Sequence, residues 1–263
     1  MIPFIHIGPL SIGTFGLMMW LAFVAAFLLL SADFRRRKLT LDPQIVVAVA
    51  AITGIIGAKL YHVWDTPGDP IFSRTGFAWF GGFLAGLACL VGFAFRYRIP
   101  LLQFLDACSP AAALGYAVGR IGCLTSGDGD YGIPTSLPWG MSFPPPALVP
   151  SSETCLRYGL SPDCRVHPTP LYELFVGIFI AYVLWKLGEK AITGRAPSGT
   201  ALAGFLILSG AARFLVEFIR INPRVIWGMS NAQAASLASL IAGIILLMVI
   251  NKKHSHPVRV TRN

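Results

Sequence analysis

Charged side chains inside apolar stretches are the first candidates for chemistry in this 263-residue chain. Arg120 lies in the apolar stretch Gly115–Gly122, and Arg213 and Glu217 lie four residues apart in RFLVEF. An ionised group at membrane depth is costly, so such groups usually face a bundle interior and mark a functional site. Two guanidinium groups match the oxygens of a phosphodiester, and a phospholipid head group is the phosphate available there. The alternative is that Arg213 and Glu217 form an internal ion pair that helps their helix insert.

A glycine-rich turn follows Arg120 and contains two carboxylates, Asp128 and Asp130. Its backbone N–H groups suit the close approach of a phosphate, and either carboxylate is a candidate proton acceptor. Asp and Gly also favour turns for local reasons, so a structural role is the competing interpretation. The later segment HPTPLYE places His167, Tyr172 and Glu173 at the start of a helix. The helix dipole alone also accounts for an acidic residue there.

The composition indicates that membrane helices must hold these residues. Hydrophobic residues make up 55% of the chain and charged residues only 13%, whereas soluble domains carry about 25% charged residues. An ordinary soluble domain is therefore excluded, and the net charge of +9 fits membrane orientation better than nucleic-acid binding. Seven segments reach or approach the roughly 20 apolar residues of one crossing. They are Ile12–Leu30, Pro43–Trp64, Trp79–Phe95, Leu101–Cys123, Pro170–Leu187, Ala201–Ile219 and Ala232–Ile250.

Basic residues follow the first, third, fifth and seventh segments, and the positive-inside rule assigns these connections to the cytoplasm. We therefore predict an all-α integral membrane protein with seven transmembrane helices, its N-terminus outside and its C-terminus cytoplasmic. Residues 1–250 would form the membrane domain and residues 251–263 a basic cytoplasmic tail. The connection 124–169 would be an extracytoplasmic cap, in which Cys155 and Cys164 either form a disulfide or remain free.

Four motifs occur in a fixed order along the chain. They are GRIG at Gly119–Gly122 with the following Gly-Asp turn and Tyr131–Gly132, LPWGMSFP at Leu137–Pro144, HPTPLYE at His167–Glu173, and RFLVEFIR at Arg213–Arg220. In content and order they resemble the bacterial prolipoprotein diacylglyceryl transferase family. The resemblance spans nearly the whole chain and also implies seven helices with the N-terminus outside.

The resemblance implies transfer of a diacylglyceryl group from phosphatidylglycerol to the lipobox cysteine of a preprolipoprotein, releasing glycerol phosphate, at the bacterial cytoplasmic (inner) membrane. Arg120 and Arg213 would hold the lipid phosphate, and Glu217 would orient one of them or assist proton transfer. No cofactor, metal or nucleic acid is implied. A thiol must become a thiolate to attack carbon, so a nearby base is useful. The candidate catalytic residues are Asp128, Asp130, His167 and Glu217; Tyr131 and Gly132 would join the phosphate site, with Cys123, Tyr172 and Glu173 in support.

Three features depart from the family pattern. The Asn that follows GRIG is Cys123 here, and the His that precedes the paired glycines is Phe80. The turn is also one residue longer, so its acidic residue matches either Asp128 or Asp130. If the missing His is the thiol's base, another group must replace it. These departures keep open a second hypothesis, a lipid-binding or transport membrane protein descended from the family without the transferase activity.

Overall fold

The structure, a computed structural model, describes residues 2–68, 70, 78–143, 151–225 and 227–255. Over these residues the fold is predominantly helical, as predicted. The helices are α1 (Thr14–Arg37), α2 (Pro43–Asp65), α3 (Trp79–Arg96), α4 (Leu101–Ser126), α5 (Ser152–Arg157), α6 (Thr169–Ile192), α7 (Thr200–Val216) and α8 (Asn231–Ser255). Two short antiparallel pairs accompany them, formed by β1 (Phe4–Ile7) with β2 (Leu10–Gly13) and by β3 (Pro134–Thr135) with β4 (Arg165–Val166).

Each of the seven predicted segments overlaps one helix, and the short α5 lies in the connection between α4 and α6. Five helices, α1, α2, α4, α6 and α8, are long and apolar enough to cross a membrane, while α3 and α7 are apolar but shorter. The chain is therefore a multi-pass membrane protein. α8 continues to Ser255, and the remainder of the predicted tail, 256–263, lies outside the described residues.

α4 lies at the centre of the bundle and packs against α1, α6 and α7. Small residues make these contacts close. Gly115 faces Ala22 of α1, and a Cβ at Gly177 of α6 would lie 2.8 Å from the Cβ of Ala117. Small side chains at helix interfaces let membrane helices approach closely. α4 therefore sets the relative positions of the helices that carry the candidate site.

A buried carboxylate joins α4 to α7. Asp106 accepts hydrogen bonds from the backbone N–H groups of Gly199 (2.7 Å) and Leu202 (2.8 Å), at the start of α7. It thereby satisfies two of the N–H groups that every helix leaves unpaired at its N-terminus. This contact fixes α7 along α4, the two helices that carry Arg213 and Arg120.

The described residues between α4 and α6, which we call the cap, cover 127–143 and 151–168. They include a disulfide between Cys155 and Cys164. The cap is hydrogen-bonded to the chain after α7, because the Ile133 N–H donates to the carbonyl of Ile219 (2.7 Å). The sixth segment was predicted to remain helical to Ile219, but α7 ends at Val216, and the chain beyond it turns to pair with the cap.

Candidate active site

Glu173, in the first turns of α6, is the carboxylate on which three arginines meet. Its Oε1 lies 2.9 Å from Nη1 of Arg213 and 3.4 Å from Nη2 of Arg120, and its Oε2 lies 3.4 Å from Nη1 of Arg220. The sequence predicted that Arg120 and Arg213 belong to one site, and the structure brings them to the same carboxylate oxygen. Sequence reasoning gave Glu173 a supporting place only, whereas it lies at the centre.

Asp130, in the glycine-rich turn, contacts two of these three arginines. Its two carboxylate oxygens accept hydrogen bonds from Arg120 and Arg220, one guanidinium group each. Burial alone would raise the pKa of Asp130, but the charge and hydrogen bond of Arg220, together with Arg120, outweigh burial and hold the pKa below 3.8. The turn thus places a fully ionised carboxylate between two guanidinium groups.

Gly132 makes this placement possible. Its N–H donates to the carbonyl of His167 (2.8 Å), and it forms a β-bridge with Arg220. A Cβ at this position would lie 2.5 Å from the carbonyl oxygen of Ile219 and 2.8 Å from the Cβ of His167. Because any side chain would separate these backbones, a glycine two residues after Asp130 lets the turn lie against the end of α7.

Glu217 is enclosed on the inner side of the cluster. It is 0% exposed, lies 3.0 Å from Nη2 of Arg213, and accepts hydrogen bonds from Asn222 (2.5 Å) and Ser230 (2.8 Å). A buried carboxylate with these partners orients Arg213 and is shielded from a substrate. Of the two roles that the sequence left open for Glu217, the geometry favours orientation over proton transfer.

The cluster is electrically balanced, with three guanidinium groups facing Asp130, Glu173 and Glu217. Burying balanced charges avoids the penalty of an unpaired ion. Access is uneven, because the side chain of Arg213 is 24% exposed, that of Arg120 14% and that of Arg220 7%. Of the three guanidinium groups, those of Arg213 and Arg120 are therefore the more accessible to an anion, while Arg220 is buried against Asp130 and Glu173.

Asp128 and Cys123 lie beside the cluster. Burial raises the pKa of Asp128, and the nearby negative charge of Asp130 raises it further. The ligand atoms of Cys123, Asp128 and Asp130 lie within 4.8 Å of one another, a spacing that suits a metal. However, Arg120 pairs with Asp130 and its Nη1 also lies 3.7 Å from the Cys123 sulfur. A guanidinium group thus already supplies the positive charge that a metal would bring.

His167 and Tyr172 belong to a hydrogen-bonded chain on the cap side. The Tyr172 hydroxyl accepts from Nε1 of Trp139 (2.9 Å) and lies 3.2 Å from Nδ1 of His167. Burial lowers the pKa of His167, so the imidazole is neutral near pH 7. The sequence predicted that Tyr131 would join the phosphate site, but its ring is buried against Phe143 in the apolar core of the cap. The structure therefore gives Tyr131 a packing position.

Two residues of the site were missed by sequence reasoning. Arg220 follows Arg213 by seven residues and Glu217 by three, a spacing that keeps all three on one side of a helical pattern. Tyr116 precedes Arg120 by one helical turn; its hydroxyl donates to Glu173 (2.5 Å) and accepts from Nη2 of Arg120 (2.8 Å). The helical spacing was a usable signal for Arg220, whereas the role of Tyr116 depends on α6 being adjacent.

Comparison with known proteins identifies the family of this chain. Residues 3–249 match the family model described as prolipoprotein diacylglyceryl transferase. The chain is 29% identical to the phosphatidylglycerol–prolipoprotein diacylglyceryl transferase of Bifidobacterium longum subsp. infantis over 262 residues, covering 93% of this chain and 82% of the relative. It is 30% identical to the protein of the same name from Leptospira interrogans, covering 81% of this chain and 72% of the relative. It is also 30% identical to the one from Synechococcus elongatus, covering 96% of this chain and 89% of the relative. Because the family model matches nearly the whole chain and relatives at 30% identity cover most of it, this chain belongs to the prolipoprotein diacylglyceryl transferase family.

Proposed function

We propose that this protein transfers the diacylglyceryl group of phosphatidylglycerol to the lipobox cysteine thiol of a preprolipoprotein and releases glycerol phosphate. The observation that carries the proposal is the meeting of Arg120 and Arg213, from two different helices, on Glu173. Guanidinium pairs of this kind match phosphate oxygens. The family match over residues 3–249 supplies the reaction.

The same proposal includes the orientation of the protein in the cytoplasmic membrane. Seven helices cross the bilayer, with residues 1–250 as the membrane domain and a basic tail from residue 251. Basic residues lie in the last turns of α1, α3, α6 and α8, which the positive-inside rule assigns to the cytoplasmic side. The arginine cluster and the cap lie at the other ends of α4 and α6 and therefore face outward, where a preprolipoprotein emerges.

In the proposed reaction the phosphate of the lipid binds Nη groups of Arg120 and Arg213. The thiol loses its proton, and its sulfur forms a bond to the carbon of the diacylglyceryl group that carries the phosphate. The bond from that carbon to the phosphate oxygen breaks. The electron pair leaves on the phosphate, so negative charge grows where the two guanidinium groups are held in place. Fixed positive charge at that point lowers the barrier.

We propose Asp128 as the group that takes the thiol's proton. Asp130 is a weak base because two guanidinium groups stabilise its ionised form, and Glu217 is fully buried. Asp128 is exposed and its raised pKa makes it the stronger base of the two turn carboxylates. His167, neutral and joined to Tyr172, is the runner-up. The pH–rate profiles of Asp128→Asn and His167→Gln distinguish the two candidate bases. The variant that lacks the true base is expected to lose the fall in rate at acidic pH.

The test is transfer by the purified protein. Phosphatidylglycerol and a lipobox peptide are expected to give a diacylglyceryl peptide, detected by mass spectrometry. Arg213→Ala is expected to abolish turnover. The control Arg157→Ala removes an arginine whose side chain is 75% exposed and pairs with the equally exposed Glu153, and exposed pairs contribute little. A wild-type protein that forms no product with any lipobox peptide would refute the proposal.

A further inference from the structure

The Tyr116 hydroxyl lies between two opposite charges. It donates a hydrogen bond to Oε1 of Glu173 (2.5 Å) and accepts one from Nη2 of Arg120 (2.8 Å). The same two atoms of Glu173 and Arg120 are 3.4 Å apart, longer than a good charge-assisted hydrogen bond of about 2.7–2.9 Å. The phenol therefore keeps this carboxylate and guanidinium group from closing fully on each other.

This arrangement leaves the two ends of the Arg120 guanidinium group with different partners. Its Nη1 is paired with the ionised carboxylate of Asp130, while the shortest hydrogen bond of its Nη2 is to a neutral hydroxyl. A hydrogen bond between two charged groups is about twice as strong as one with a neutral partner. A phosphate oxygen that binds Nη2 therefore replaces a weaker hydrogen bond than one that binds Nη1.

The position of Tyr116 on α4 makes that nitrogen reachable. α1 covers the side of α4 that carries Gly115, and α6 covers the side that carries Ala117. Another side carries Ala112, which is exposed, Tyr116, which is 40% exposed, and Gly119, where an added Cβ would have no atom of the described residues within 4 Å. Tyr116 thus lies on a side of α4 that no neighbouring helix covers completely.

We propose that Tyr116 is a positioning residue for lipid binding, which prevents a direct Arg120–Glu173 ion pair and so keeps Nη2 of Arg120 available to the lipid phosphate. The inference rests on the proposed function, because it takes the anion to be the phosphate of phosphatidylglycerol. Tyr116→Phe keeps the aromatic ring under the guanidinium group, whose carbon is 4.7 Å from the ring centroid, and removes only the hydroxyl. Arg120 is then expected to close on Glu173.

The first measurement is the affinity of the full-length protein for dioctanoyl phosphatidylglycerol in detergent. Loss of a hydrogen bond involving charged groups predicts a rise in Kd and KM of roughly tenfold for Tyr116→Phe, with kcat changed by less than about threefold. Tyr182→Phe, at a tyrosine of α6 that is 60% exposed, is the matched control and is expected to bind like the wild type. A Tyr116→Phe variant with wild-type Kd would overturn the inference.

The second measurement distinguishes positioning from a merely structural role. In a Glu173→Gln background the partner of Arg120 is a neutral amide, so removing the Tyr116 hydroxyl is expected to change Kd by less than about twofold. An equal loss of affinity in both backgrounds would show that Tyr116 acts independently of Glu173, which contradicts the inference.

Binding is measured without an acceptor peptide, so the two proposals fail separately. If the wild type binds the lipid tightly but transfers nothing, the proposed reaction is refuted. The Tyr116 inference is then decided by comparing the Kd of Tyr116→Phe with that of the wild type. Normal transfer by the wild type with unchanged binding by Tyr116→Phe would refute the inference alone.

Discussion

Replacement of Gly132 by Ala tests whether the placement of Asp130 depends on close contact between two backbones. The new Cβ would lie 2.5 Å from the carbonyl oxygen of Ile219, whereas ordinary contact begins at 3.4 Å. The turn must therefore retreat by about 0.9 Å. The hydrogen bond from Ile133 to Ile219, now 2.7 Å, would lengthen to about 3.6 Å and be lost.

The expected destabilisation by Gly132→Ala follows from these distances. Forced overpacking costs about 1–3 kcal/mol, and a broken backbone hydrogen bond adds about 1 kcal/mol, so we expect a destabilisation of about 2–4 kcal/mol. A shift approaching 1 Å also moves Asp130 relative to Arg120 and Arg220. Misplacement on this scale can reduce a rate by about 10²-fold, so activity is expected to fall more steeply than stability.

The assay compares the rate of diacylglyceryl transfer and the thermal stability in detergent of Gly132→Ala, wild type and Gly92→Ala. Gly92 is the matched control, because a Cβ there would meet no atom within 4 Å and Ala is a better helix former than Gly. The control is expected to remain as stable and active as the wild type. A Gly132→Ala variant that transfers at the wild-type rate would refute the reasoning.

Three further predictions concern the scaffold. A Cβ at Gly57 would lie 2.6 Å from the carbonyl oxygen of Gly81, so Gly57→Ala is expected to separate α2 from α3 and lower the thermal stability. Gly86→Ala is the control, because a Cβ there has no atom of the described residues within 4 Å; equal stabilities of the two variants would contradict the prediction. Because its folded-state pKa is lowered, Asp130 contributes stability that is present above pH 3.8 and is lost only as the pH falls through the folded-state value. The stability difference between wild type and Asp130→Asn, measured by thermal unfolding, should therefore stay level from pH 7 to about pH 4 and shrink below it; shrinkage already at pH 6 would argue against the Arg pairing. The double substitution Cys155→Ser with Cys164→Ser removes the cross-link that restricts the unfolded chain and is expected to lower the stability of the cap by roughly 2–3 kcal/mol. The cap should then be cleaved faster by a protease; unchanged resistance to cleavage would count against the prediction.

The predictability of the site differed from residue to residue. Arg120 and Arg213 were identified because an ionised side chain in an apolar segment has few explanations besides a shared interior site. Glu217 was found for the same reason, but its sequence neighbours do not reveal that Asn222 and Ser230 enclose it. Asn222 and Ser230 follow Glu217 by 5 and 13 residues, beyond the end of α7, where helical spacing no longer predicts which side chains meet.

Composition and the length of the apolar segments were sufficient to predict the long helices, because one membrane crossing demands a continuous apolar run and an internally hydrogen-bonded backbone. The end of α7 was predicted less well, since the carbonyl of Ile219 pairs with the cap residue Ile133. A helix boundary decided by a tertiary hydrogen bond leaves little trace in the local sequence.

The sequence by itself determined the class of protein, the positions of the long helices and the identity of two phosphate-binding candidates, because each of these depends on the type and order of neighbouring residues. Only the tertiary structure decided that Glu173 is the shared partner of three arginines and that the Tyr116 hydroxyl lies between Glu173 and Arg120. Those relations join α4, α6 and the end of α7. They arise from the packing of helices against one another, which fixes distances between residues that are far apart in the chain.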